Sequence, residues 1–143
     1  IFMNLERLEE RWRSLVESAP DVILLVDREG RIEYINHSQP RPNLGVEQIT
    51  GRTVFDFVDA EHHAAAKADL ERVFERAEMV IRVVTGPNDQ GETRWFQSHM
   101  APVQLDGKVI GATAIVRDVT NEHLADRQLK SLQDQLAHAG RVG

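Results

Sequence analysis

The sequence predicts an α+β fold, an antiparallel sheet of about five strands with helices on one face and an amphipathic helix at either end. Three observations carry this. Short runs rich in Val, Ile and Thr fall into two groups, near the front of the chain and over its last third. The later group holds three runs joined by turns, which makes those strands antiparallel neighbours. Between the groups lies a stretch with helical periodicity.

In chain order, Leu5, Leu8, Trp12 and Leu15 recur at spacings of three and four among charged residues. They predict an amphipathic helix over about residues 4–18, ended by Ala19-Pro20. Its apolar stripe suits packing on the sheet, a seam with a second copy, or both. Asp21 to Asp27 is a wholly apolar strand, Arg28-Glu29-Gly30 a turn, and Arg31 to Asn36 the alternating return strand. Asn36 or Ser38 can cap the next segment. His37 to Thr50 carries two prolines and a glycine and supports short helical turns, one at Val46–Ile49. Gly51 to Val58 returns an apolar group to the core.

Asp59 to Ala77 is the main internal helix. Asp59 is placed as its N-cap, with Ala64, Ala68, Leu70, Val73, Phe74 and Ala77 on the apolar side. Strands follow at Glu78–Thr85, Glu92–Gln104 and Lys108–Thr120, with loops at Gly86–Gly91 and Leu105–Gly107. The last strand is β-branched, follows the tight turn Asp106-Gly107, and runs directly into a helix that Thr120 or Asn121 can cap. In that helix Ala125, Leu129, Leu132, Leu136 and Ala139 alternate spacings of four and three, a coiled-coil stripe. The chain therefore divides into an N-terminal helix (1–19), a core (20–120) and a C-terminal coiled-coil helix (121–143). The beginning Ile1-Phe2-Met3 and the end Gly140-Arg141-Val142-Gly143 read as those of a piece of a longer protein.

Composition narrows the function. Hydrophobic residues at 41% and charged residues at 28% are ordinary for a soluble domain of 143 residues. A net charge of −6 with no basic cluster argues against a nucleic-acid surface. No apolar run reaches membrane-spanning length and no secretion signal opens the chain, so no membrane contact and a cytoplasmic location are expected. The chain has no cysteine, hence no disulfide, thiolate metal site or thiol nucleophile. No phosphate loop or nucleophile motif is present, and Glu61, Glu71 and Glu75 read as a solvated helix face, so no catalytic residue is assigned. Asp59 and His63 share a helical face, but a capping carboxylate beside exposed histidines is the simpler reading, and no metal site is assigned.

Several short stretches, in order, resemble a PAS domain over about residues 10–120. They are Asp27-Arg-Glu-Gly-Arg-Ile-Glu-Tyr-Ile-Asn36, Ile49-Thr-Gly-Arg52, Gly91-Glu-Thr-Arg-Trp95, Gly107-Lys-Val-Ile-Gly111 and the closing Arg117-Asp-Val-Thr120. The resemblance implies strand order 2-1-5-4-3. Leu136-Ala-His-Ala-Gly-Arg-Val142 also resembles the linker that follows a PAS domain in bacterial sensor histidine kinases. His138 is followed by Ala139 rather than an acid and takes no phosphoacceptor role.

The resemblance also bounds cofactors. Covalent flavin and coumarate photochemistry in such domains needs cysteine, which is missing here, while non-covalent flavin stays open. Haem-binding relatives use a histidine in the long helix. His62 and His63 stand at its first turn, expected near solvent, so no haem is expected. Resemblance turns Phe96, Ser98 and Met100 toward the helices, together with Leu24, Val26, Thr113 and Ile115, as a small-molecule pocket in which Ser98 and Thr113 supply hydroxyls. The alternative is a filled core. Asp118 ends a strand where Arg28, Arg31 or Arg94 can pair with it, and Thr120 can cap the exit helix, so these two form the signal-transmission junction. The function expected is a sensory or regulatory module of a bacterial signalling protein, a sensor histidine kinase first. It would be homodimeric and would act through the C-terminal helix on an output domain of the same chain. The alternatives are a ligand-free structural dimerisation module, or a PAS domain serving a diguanylate cyclase or transcription regulator.

Overall fold

The computed structural model describes residues 2–37 and 43–142, with side chains over residues 7–37 and 43–140. Helix α1 (Phe2–Ser18) leads into strands β1 (Val22–Val26) and β2 (Ile32–Ile35). A one-turn helix α2 (Val46–Ile49) and 3-10 turns at Val54–Asp56 and Ala60–His62 precede α3 (His63–Arg76). Then come β3 (Val80–Pro87), β4 (Thr93–Leu105), β5 (Lys108–Asp118) and the long exit helix α4 (Thr120–Val142). The five strands form one antiparallel sheet in the order β2-β1-β5-β4-β3, the order the resemblance implies.

Helix α3 covers the sheet through Leu70, Val73 and Phe74, which are buried against Leu24, Val26 and Ala112 in one core. Its buried face also includes Asp69, while Ala64, Ala68 and Ala77, expected on the apolar side, are exposed. Three- and four-residue spacing back from Val73 selects Asp69 and Ala66, not Ala68 or Ala64. Asp59 does not cap α3 either. It precedes the 3-10 turn, and its Oδ2 instead accepts the Thr85 hydroxyl at 2.7 Å.

The front of the chain is pinned by Asn36, which sequence placed as a cap. Its Oδ1 accepts the N–H of Ile23 at 2.8 Å and of His37 at 2.9 Å, and its Nδ2 donates to the carbonyls of Val16 and Asp21. One buried amide thus ties the end of α1 to both early strands. Ser38, the other cap considered, lies outside the described residues. The stripe of α1 is not packed on its own sheet: Leu8, Trp12 and Leu15 are 60%, 68% and 68% exposed. The Leu5 side chain lies outside those described.

Gly86 shows why the edge strand needs a residue without a side chain. A Cβ there would stand 2.2 Å from the Phe57 carbonyl oxygen, so β3 and the 3-10 region approach backbone to backbone.

Candidate functional site

Two features of the sheet bear on function: a cavity on its helix-covered face and a bonded junction where it becomes α4. The cavity has a volume of about 170 Å3 and lies between β1, β3, β4 and β5 and the helical segment. Leu24, Phe96, Ser98 and Met100, four of the residues expected to form it, are in its wall. Val26 is not. It is fully buried in the core beside it.

Thr113 and Ile115 face the other way, and their assignment to the pocket is corrected. Within β5 the residues opposite Leu24, Met100 and Ser98 are Ala114 and Val116, and these line the cavity. Thr113 and Ile115 stand opposite Ala101 and His99 on the outer face, where Ile115 is exposed. The cause is an irregularity between Val103 and Gln104 that leaves Ile110 unopposed and shifts the pairing by one residue. The cavity hydroxyl is therefore that of Ser98 alone among the pair considered, and it has no hydrogen-bond partner among the described residues.

Sequence reasoning missed the charged part of the wall. Asp69 of α3, only 4% exposed, receives Arg82 of β3 in a two-pronged ion pair, Nη2 to Oδ1 at 3.0 Å and Nε to Oδ2. The hydrogen bond to Asp69 holds the Arg82 guanidinium above its ordinary pKa, against the opposing cost of burial. A signal was present: Asp69 sits on the same helical stripe as Ala66 and Val73.

The junction is fully bonded. Asp118 Oδ2 accepts Nε and Nη2 of Arg94 at 2.9 and 2.8 Å, and Oδ1 accepts the N–H and hydroxyl of Thr120 at 2.9 and 2.5 Å. Of the three arginines considered, Arg28 pairs with Glu75 and Arg31 reaches the Gly51 carbonyl, leaving Arg94 as the partner. Burial pushes the Asp118 carboxyl up, but the Thr120 and Arg94 bonds together outweigh it and hold the group below its ordinary value. The role of Thr120 differs from the cap expected. Its Oγ1 accepts the Trp95 N–H at 2.9 Å, while Asp118 takes the Thr120 N–H in the first turn of α4. The Val119 N–H donates to the Trp95 carbonyl at 2.8 Å, and His123 stacks on the Trp95 ring at 4.5 Å. Strand β4 therefore grips both the end of β5 and the start of α4.

The two histidines expected near solvent are half-buried and engaged. His62 Nε2 lies 2.9 Å from Thr85 Oγ1, and His63 Nε2 lies 3.0 Å from the Val58 carbonyl with its ring edge-on to Phe55. Neither ring is in the cavity wall. Among the described residues no group of three or more acidic or histidine side chains is arranged to hold a metal, and no helix is long and apolar enough to cross a membrane.

A family profile described as the PAS fold matches residues 16–124. Among solved structures, the PAS domain of an HTR-like protein from Haloarcula marismortui is 26% identical, with a TM-score of 0.64 over 81% of this chain and 95% of that one. A sensory box histidine kinase/response regulator from Burkholderia thailandensis is 16% identical, with a TM-score of 0.65 over 90% and 98%. The PAS domain of the RpfR quorum-sensing receptor from Cronobacter turicensis, solved in complex with BDSF, is 22% identical, with a TM-score of 0.62 over 72% and 97%. No curated protein matches the chain. With the strand order, the helix-covered face and a profile match over most of its length, the chain belongs to the PAS fold family.

Proposed function

We propose that this PAS domain is the sensory module of a bacterial sensor histidine kinase, reporting the state of its cavity to an output domain of the same chain through α4. One observation carries the reading: cavity and junction share two strands. Phe96 of the cavity wall is paired directly with Asp118 of the junction, and Ser98 with Val116 one step deeper. A change in the packing of Phe96 or Val116 therefore acts on strands whose ends hold the first turn of α4. The domain itself has no catalytic role in this reading, and its signal requires neither haem nor a covalent chromophore. The kinase assignment is supported by the resemblance of Leu136 to Val142 to a kinase linker.

Fusing the chain in helical register to a histidine-kinase catalytic core tests this. Asp118→Ala and Thr120→Ala each remove part of the junction but leave the core contacts in place, so both fusions should stay folded while autophosphorylation departs several-fold from wild type. Wild-type activity and regulation in both variants would reduce the junction to a helix start without a signalling part.

A further inference from the structure

Resting on the reading that the cavity is the sensory site, we infer that it selects a small uncharged ligand, an apolar body carrying one hydroxyl or carbonyl group, and rejects the corresponding carboxylate. Size sets the first limit. At about 170 Å3 the cavity is close to an engineered apolar cavity of about 150 Å3 that takes benzene, so the ligand is a ring or short chain with a few additional atoms.

The wall sets the chemistry. Most of it is aliphatic or aromatic, as at Leu24, Val84, Phe96 and Met100, and its polar side chains among the described residues are Asp69, Arg82 and Ser98. Arg82 is the one cation of the wall among the described residues, and its charge is already cancelled by Asp69, which grips it with both oxygens. A carboxylate entering beside them would bring a second negative charge next to the buried Asp69, with no free cation among the described wall residues to meet it. A neutral ligand meets no such cost. The Ser98 hydroxyl, without a hydrogen-bond partner among the described residues, can donate to or accept from a ligand hydroxyl and can donate to a carbonyl. One small polar handle in an apolar site fixes orientation without demanding charge.

Benzyl alcohol and benzoate, matched in size and differing in charge at neutral pH, separate the possibilities when titrated into the full chain by NMR. Benzyl alcohol is expected to bind about tenfold or more tightly than benzoate, with shifts at Phe96, Ser98 and Met100, because only the anion leaves an uncompensated buried charge. Benzoate binding as well as benzyl alcohol would overturn the inference and leave the cavity as a ligand site. Binding of neither at millimolar concentration would overturn the cavity reading itself, and the inference with it. In Asp69→Asn, which uncovers the Arg82 charge, the preference should invert, and a folded variant that still prefers the alcohol would contradict the role given to the pair. Ser98→Ala, a small change on a cavity-lining strand, should weaken benzyl alcohol several-fold, and an unchanged affinity would count against the orientation assigned.

Discussion

Asp118 holds the end of the sheet to the start of α4 through a single carboxylate. Each of its oxygens accepts two donors, so removing the carboxylate strands the Arg94 guanidinium and the Thr120 hydroxyl and N–H together. Asp118→Ala should cost about 1–3 kcal/mol of unfolding free energy, the range for a hydrogen-bonded charge that loses its partner. Its pH dependence has a definite sign. The folded carboxyl lies below its ordinary value of 3.8, so its contribution is complete above that value and is lost as pH falls through the lower folded one. The stability gap between wild type and Asp118→Ala, followed by chemical denaturation, should be flat near neutrality and narrow only in acid. A gap that widens on acidification would contradict the bonding described. Asp118 and Thr120 were legible because the Asp-x-Thr spacing survives in sequence. Which arginine answers Asp118 was not, since strand pairing brings Arg94 across from residues 24 positions later.

At the scale of elements, the sequence shows which stretches are strands and helices, while pairing decides what they face. All five strands and all three longer helices lie near their expected positions, because alternation and three-four spacing survive in local sequence. The face of β5 did not survive. A regular hairpin at Asp106-Gly107 pairs Ser98 with Ile115, and one extra residue at Ile110 turns Thr113 and Ile115 outward. No local signal marks that irregularity, since Val109, Ile110 and Gly111 suit a strand in either register. The close approach at Gly86 is similarly invisible, because the residue reads as part of a loop. Gly86→Ala must move β3 away from the Phe57 carbonyl, and a loss of about 1–3 kcal/mol is expected by thermal or chemical unfolding. A neutral Gly86→Ala would mean that this approach is looser than described.

For the whole molecule, what remains unsatisfied is as informative as what is packed. Leu8, Trp12 and Leu15 of α1 are exposed, as are Leu129, Leu132 and Leu136 of α4. Two stripes at coiled-coil spacing, exposed among the described residues, are what a parallel homodimer would bury. Sedimentation at micromolar concentration should show two chains per particle, and a monomer persisting to about a hundred micromolar would contradict it, since the association would then be weaker than roughly −5.5 kcal/mol. The sheet and α4 move as one unit because Asp118, Thr120 and Trp95 bind them. Amide hydrogen exchange in wild type and Asp118→Ala tests this most directly, at the N–H groups of Trp95, Val119, Thr120 and His123, all of which are bonded within the junction. These four should lose protection together in the variant, with the loss extending into α4, while amides of the buried α3 segment around Leu70 and Val73 keep theirs. Unchanged protection at all four positions would show that strand and helix are held by something other than the junction.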